Sequence, residues 1–380
     1  MKKVGILTMH RVTNYGSVLQ AYATQYIIEK LGYTPIVIDY VFPNKRHHNY
    51  FSRKYLRTFI RNTYQKIFRK PEYIKSKKIR EFRNKNLYLS PLYSTKNSII
   101  DSPPQYDFYL IGSDQVWNPK HMKGDDTFLL GFLPNNAQKI SFSSSFATRS
   151  IPTDLKEIYI NNLRQFKNIS VREDNGKSLI KELIDKDVPV TLDPTLMLDA
   201  SEWKKLSISQ HNNYIGKNYI LLYMLNYAFN PIPYIYELLH KLQKETGLKI
   251  YSFTQTPKNH INLDIEYIID SSPIEFIQAF ENASYVVTSS FHGTAFAVNF
   301  GIPLYSIVPN EKIKDDRQTT LLKSLNLNQC IVHINDTIKP AAQVHYNIEQ
   351  KETLLNEIRE SSIIYLEDAL NNKRTNRLLN

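Results

Sequence analysis

Short apolar runs alternating with helical repeats constrain this chain more than any other feature of it. Residues 4–8 read as a strand, 9–16 as a polar loop ending in Asn14, Tyr15 and Gly16, and 17–31 as a helix with Val18, Tyr22 and Tyr26 at helical spacing. Gly32 stops that helix and residues 35–40 form a second strand. Further strands are predicted at 108–112, 139–143 and 169–172, and a second set at 219–225, 249–253, 285–288 and 303–308. Helices are predicted at 233–245, 293–300 and 348–370, with Gly301 stopping the second of these. Ser272-Pro273-Ile274-Glu275 is a capping box with proline at the first helical position, so a helix starts there as well. Strands that alternate with helices imply an α/β fold with parallel sheets covered on both faces.

With 380 residues the chain exceeds one ordinary core and suits two domains, and 42% hydrophobic residues suffice for both. The pattern changes around 189–199 and is followed by a polar stretch at 207–217. The expected division is therefore an N-terminal domain at 1–200, a C-terminal domain at 201–345 and a helical tail at 346–380. The single cysteine, Cys330, excludes an internal disulfide and fits a reducing compartment. The first nine residues hold too short an apolar stretch for a signal-peptide core, and no run reaches the 18 apolar residues of a membrane span. The expected location is the cytoplasm.

The net charge of +12 is not spread evenly. Residues 45–86 hold 15 of the 48 Lys and Arg but only Glu72 and Glu81 of the 36 acids, so one insertion, 43–86, carries the whole excess. Within it Leu56, Ile60, Tyr64 and Ile67 recur at helical spacing beside Arg53, Arg57 and Arg61. Two readings stand: a basic helix docked on its own domain, or a patch that rests on anionic lipid head groups at the inner membrane face. Nucleic acid ranks below both, because no recognisable nucleic-acid motif accompanies the charge.

In open α/β domains ligands bind beyond the carboxyl ends of the strands. Four segments put polar residues at such ends. Ser289-Ser290-Phe291-His292-Gly293 joins a buried strand to a helix, whose N-terminus suits an anion, and glycine allows close backbone approach. A histidine there can act as general acid or base, or it can simply cap the helix. Ser170-Val171-Arg172-Glu173 ends a strand; the guanidinium suits a carboxylate or phosphate, unless it only pairs with Glu173. Gly112-Ser113-Asp114-Gln115-Val116-Trp117-Asn118 suits a sugar, with polar groups for hydroxyls and an indole for a ring face, unless Trp117 fills the core. The loop 10–16 sets Asn14 and Gly16 beside the first helix.

Several chemistries lack their signatures. There is no Walker loop, no G-x-G-x-x-G after the first strand, no cysteine pair or His-x-x-x-His for a metal, and no G-x-S-x-G elbow.

Gly5-Ile6-Leu7-Thr8, Asn14-Tyr15-Gly16-Ser17-Val18-Leu19-Gln20-Ala21-Tyr22, the Gly112–Asn118 and Ser170–Glu173 segments, Leu192-Asp193-Pro194-Thr195 and Ser290-Phe291-His292-Gly293-Thr294-Ala295-Phe296 together resemble the bacterial polysaccharide pyruvyltransferases. The resemblance runs in order from about residue 4 to about 325 and leaves out the basic insertion and the tail. It implies two Rossmann-like domains facing across a cleft, similar to the GT-B glycosyltransferases, with the active site in that cleft. It implies phosphoenolpyruvate as co-substrate, with no resident cofactor and no metal. The implied acceptor is a sugar of a surface polysaccharide, capsular or exopolysaccharide, or its lipid-linked oligosaccharide precursor, and the product a pyruvate ketal. Carried over, Arg172 and His292 are the catalytic and donor-binding pair, with Ser289, Ser290 and Gly293 around the donor. Many relatives have an arginine where this chain has Ser290; either another cation replaces it, with Arg317 the candidate, or the donor differs. Asn14, Gly16, Asp114, Gln115, Trp117 and Asn118 are the acceptor-binding candidates. Two other readings stay open: a glycosyltransferase of the same architecture using a nucleotide sugar, and a non-catalytic protein that binds anionic glycan or membrane.

Overall fold

The computed structural model describes residues 1–41, 70–122, 124–208, 215–226, 229–255, 263–309 and 315–372. The apolar stripe at Leu56, Ile60, Tyr64 and Ile67, with Arg53, Arg57 and Arg61, lies outside the described residues. Two compact units are formed, Met1–Met197 with Ile358–Asn380, and Leu198–Glu357. The boundary near residue 358 falls inside helix Ile348–Leu370, so the stretch set apart as a tail in the sequence divides between the two units.

In the first unit five strands, β1 (Lys3–Leu7), β2 (Thr34–Val37), β3 (Phe108–Gly112), β4 (Lys139–Ser144) and β5 (Asn168–Val171), form one sheet in the order β2-β1-β3-β4-β5. Every pairing is parallel. All five residues of β3 and all six of β4 are buried, as expected of strands covered on both faces. Helix Tyr15–Lys30 connects β1 to β2; Asn14 caps it by accepting from Ser17 N at 3.3 Å, and Gly32 ends it at φ +82°. The core gathers Leu7, Ile111, Trp117, Phe128, Phe146 and Tyr159.

The second unit repeats the principle with β6 (Ile220–Tyr223), β7 (Ile250–Ser252), β8 (Ile265–Tyr267), β9 (Tyr285–Thr288), β10 (Leu304–Val308) and β11 (Ile331–His333). Their order is β11-β10-β9-β6-β7-β8, again all parallel. The capping box at the start of helix Pro273–Asn282 closes in both directions, Ser272 N to Glu275 Oε2 at 2.6 Å and Glu275 N to Ser272 Oγ at 3.1 Å. Two short strands, β8 and β11, were not expected from the sequence.

The two orders decide where ligands can enter. In the first sheet the chain steps from β1 out to β2 and then returns to the other side of β1 for β3, which makes β1/β3 the switch point. In the second it leaves β6 towards β8 and returns at β9, so β6/β9 is the switch point. Adjacent loops diverge there and leave a crevice outside the carboxyl ends.

Candidate active site

At the β1/β3 switch the chain leaves β3 through a strained turn. A Cβ on Gly112 would lie 1.9 Å from the Phe142 carbonyl oxygen, so only glycine fits. Ser113 and Asp114 follow with φ of +48° and +51°, left-handed conformations that non-glycine residues seldom adopt. Their side chains explain how the turn is held. Ser113 Oγ donates to Asp193 Oδ2 at 2.6 Å, and Asp114 accepts from Ser17 Oγ on the first helix and from Gln115 N.

Asp193 is the hub. Its Oδ1 accepts from Thr195 N at 2.9 Å and Thr195 Oγ1 at 2.7 Å, and its Oδ2 also meets Arg172 Nη1 at 2.5 Å. On the other side Arg172 Nε lies 4.0 Å from Glu173 Oε2, while Glu173 Oε1 accepts from Ser145 Oγ, Phe146 N and Ala147 N. The Arg172 side chain is 1% exposed and both carboxylates are fully buried. One guanidinium is thus set between two carboxylates. Arg172 was expected to present its charge to an anionic donor; here its charge is committed to the loop carrying Asp193 and to Glu173.

Trp117 also corrects an expectation. It is fully buried, its Nε1–H donates to the Phe128 carbonyl at 2.9 Å, and its ring packs against Phe146 and Phe166. It is core and offers no face to a sugar. Gln115 and Asn118 are buried and bonded to each other at 2.7 Å, Asn14 is half-buried and spends its side chain on the helix cap, and Gly16 is buried in the first turn of that helix.

At the β6/β9 switch Thr288 ends its strand with Oγ1 donating to Tyr223 O at 2.6 Å and accepting from Ser290 N at 3.0 Å. Ser289 Oγ accepts from Leu225 N at 2.8 Å and donates to Leu225 O at 2.7 Å. Ser290 caps helix Phe291–Asn299 by accepting from Gly293 N at 3.4 Å. Both hydroxyls proposed for a donor are therefore engaged in building the turn. Gly293 is required because a Cβ would fall 2.2 Å from Thr288 Oγ1. His292 is the second residue of the helix, 5% exposed, with its ring edge-on to Phe291 at 5.3 Å. The helix directs the positive end of its dipole to this rim.

Arg317 opens helix Arg317–Ser324 and is 6% exposed. Its guanidinium lies 5.9 Å from the centre of the Phe291 ring, beside the residue that precedes His292. A bidentate pair with Asp315 fixes it, Nε to Oδ1 at 2.7 Å and Nη2 to Oδ2 at 2.5 Å.

One cluster was not foreseen. His10 and Arg11, in the loop after β1, converge on Asp39 beyond β2. Burial would raise the Asp39 carboxyl, but hydrogen bonds from His10 and Arg11 outweigh it and hold the group well below the usual carboxylate range. The acid in Ile38-Asp39-Tyr40, at the end of an apolar run, was the available signal. Among the described residues no group of three or more His, Cys, Asp or Glu could hold a metal ion, and no helix is long and apolar enough to cross a membrane.

The sequence model of the polysaccharide pyruvyl transferases matches residues 14–311, well over half of the chain. The protein belongs to the polysaccharide pyruvyl transferase family. Both switch-point segments of this family member, Ser113–Asp114 and Ser289–Gly293, fall inside the matched span. No curated protein matches its sequence. Among solved structures, Arabidopsis thaliana UGT89C1 complexed with UDP-L-rhamnose aligns at a TM-score of 0.50 and 10% identity, over 98% of each chain. The UDP-GlcNAc 2-epimerase of Methanocaldococcus jannaschii, in complex with UDP-GlcNAc and UDP, aligns at 0.49 and 13% identity over 94% of this chain and 93% of that one. That of Neisseria meningitidis bound to UDP-GlcNAc gives 0.49 at 11% identity over 98% of each. At such identities the likeness is one of fold. The pyruvyl transferase chain shares the GT-B architecture: α/β, with two Rossmann-like parallel sheets.

Proposed function

We propose that the protein transfers the pyruvyl unit of phosphoenolpyruvate to two hydroxyls of one sugar in a surface polysaccharide or its lipid-linked precursor. The product is a pyruvate ketal and the by-product inorganic phosphate. What carries the reading is His292 at the start of the helix that leaves the β6/β9 switch point, in a chain of this family.

The chemistry sets the requirements. One sugar hydroxyl adds to C2 of the enol and gives up its proton, and one proton is delivered in its place to C3, making the methyl group. The second hydroxyl then bonds to C2 as the C2–O bond to phosphate breaks, and its proton leaves with the phosphate. His292 is the proposed proton carrier in these steps. The helix dipole and Arg317 are the proposed partners of the donor's phosphate and carboxylate. For Arg317 to engage the donor, its bidentate contact with Asp315 must be shared or exchanged.

Arg172 is proposed to act by holding Asp193, and through it the Ser113–Asp114 turn, at the β1/β3 switch. Asp114, on that turn, is the proposed acceptor contact, with Asn14 and Gly16 at the adjoining helix start. The reaction needs no redox cofactor. A lipid-linked acceptor would be met at the inner membrane face, and the basic insertion is the proposed means of approach.

The test is phosphate release from phosphoenolpyruvate against a panel of galactose- and N-acetylhexosamine-containing acceptors, with the ketal methyl group sought in the product. Acceptor-dependent release with a ketal methyl is the expected result. A panel that consumes a nucleotide sugar while leaving phosphoenolpyruvate untouched overturns the proposal.

A further inference from the structure

The carboxyl end of β2 gathers charged side chains that no step above uses. Asp39 is 6% exposed, and its backbone N–H donates to Ser90 Oγ at 2.9 Å. Its Oδ1 lies 2.9 Å from His10 Nε2 and 2.5 Å from Arg11 Nε, and its Oδ2 lies 2.6 Å from Arg11 Nη2. His10 Nδ1 is 2.9 Å from the Thr8 carbonyl, so both ring nitrogens face acceptors.

Arg83 comes from helix Lys70–Asn86, near enough for the charges of Arg11 and Asp39 to act on it. That helix packs on helix Tyr15–Lys30, with the Phe82 ring edge-on to Tyr22 at 6.0 Å and the Asn86 carbonyl accepting from Gln25 Nε2 at 2.9 Å. Leu89 then pairs with Val37 of β2 as a parallel bridge, which ties the end of the helix to the strand leading into Asp39. Arg83 is 8% exposed. Its Nε and Nη2 donate only to the neutral Asn84 Oδ1, at 3.1 and 2.9 Å, and among the described residues no carboxylate lies within ion-pair distance of it.

The charges do not balance. Burial first, and then Arg11 and Arg80, push the Arg83 guanidinium below its ordinary value, with Asp39 opposing them. One carboxylate, already paired with Arg11 and His10, is thus the only anion acting on Arg83 among the described residues, with Arg80 beyond. A buried cation without its own anion is costly unless a ligand supplies one. Guanidinium N–H groups fit phosphate oxygens and two guanidiniums suit a diphosphate. The Nε/Nη2 edges of Arg11 and Arg83 are held by Asp39 and Asn84, so Nη1 of each meets the ligand unless those contacts exchange. The contrast lies in the same unit, where Arg172 is outnumbered by Glu173 and Asp193.

We infer that Arg11 and Arg83, steadied by Asp39 and His10, form a binding site for a phosphate or diphosphate group, the kind through which a carrier holds an acceptor sugar. Only the naming of the carrier rests on the proposed function; the site itself does not. Lys75, on the same helix, stands 4.2 Å from the centre of the Tyr15 ring.

Calorimetry with inorganic pyrophosphate tests the site without catalysis. The full chain should bind it, and Arg11→Gln and Arg83→Gln should each weaken binding roughly 10-fold or more, as expected for a lost charged hydrogen bond. Circular dichroism confirms folding of both variants, and Arg11→Gln, at the more exposed position, decides alone if Arg83→Gln does not fold. Absence of pyrophosphate binding, or unchanged binding in the variants, overturns the inference. A parallel titration with phosphoenolpyruvate separates the sources. Unchanged affinity in the variants supports a carrier phosphate; an equal loss makes the cluster part of the donor site and overturns the carrier assignment.

Discussion

Arg172 Nη1 and Asp193 Oδ2 lie 2.5 Å apart with neither side chain reaching solvent, and this contact joins the end of β5 to the turn after β3 through Ser113. Because the pair is buried, removing one member leaves the other charge uncompensated. Arg172→Ala should lower unfolding free energy by about 3–5 kcal/mol, read from urea midpoints at unchanged slope. In the sequence Arg172 stands as one of the catalytic and donor-binding pair; full burial between two carboxylates gives it a structural part as well. Replacing Arg172 by Met together with Asp193 by Leu should recover much of the loss.

His292→Ala should reduce turnover of phosphoenolpyruvate by roughly 10²–10⁴-fold, the usual cost of a lost proton carrier, while far-ultraviolet circular dichroism stays that of the parent. Near-parental phosphate release by the folded variant removes His292 from the chemistry.

Gly293→Ala should cost about 1–3 kcal/mol through overpacking, since the new methyl meets Thr288 Oγ1 at 2.2 Å. Adding Thr288→Ala should restore part of it. Gly112→Ala has no such remedy, because its obstacle is the Phe142 carbonyl of the backbone. Thermal melts of the single and double variants compare the two cases.

Lys139 is 1% exposed, and burial pushes its ammonium down to about 8, against the pull of Asp126. The unfolded chain then holds this proton more tightly than the folded one between about pH 8 and the ordinary lysine value. Its contribution to stability therefore rises as pH climbs through that window. Lys75, also pushed to about 8 by burial, has the same sign. Cys330, raised to about 12 by burial, has the opposite sign above its ordinary value of 9.0. Between pH 8 and 9 the wild type should gain stability relative to Lys139→Met, measured as the difference of their denaturation midpoints.

The basic insertion should bring the protein to anionic liposomes at low salt. Each engaged residue contributes about 1 kcal/mol, and the attraction fades within a Debye length of roughly 8 Å at physiological salt. Co-sedimentation should vanish as salt rises and when Arg53, Lys54, Arg57 and Arg61 become Gln, with activity on a soluble acceptor unchanged. Indifference to anionic liposomes at low salt ends the membrane idea.

Elements with strong local signals were readable in the sequence. The capping box at Ser272–Glu275, the Gly301 stop at φ +70° and the terminal helix are written in neighbouring residues. β8 escaped because its three residues, Ile265–Tyr267, are partly or largely exposed and carry no apolar run. The site divides in the same way. Ser289–Gly293 lie together in the chain and were found, whereas Asp39 meets His10 from 29 positions away and Asp193 meets Ser113 from 80. Trp117 was ambiguous in sequence for a related reason, since an indole beside polar residues suits a ligand or a core equally until burial decides.

Ser289 has a wider consequence. By giving and taking a hydrogen bond with the Leu225 peptide, its hydroxyl does what the next backbone unit of β9 would have done, so the β6–β9 ladder gains a rung made from a side chain. Alanine breaks that rung, and threonine alone could keep it. The rim that the proposed donor would meet therefore begins beyond the two serines, and variants meant to alter the proposed donor choice should be sought from His292 onward.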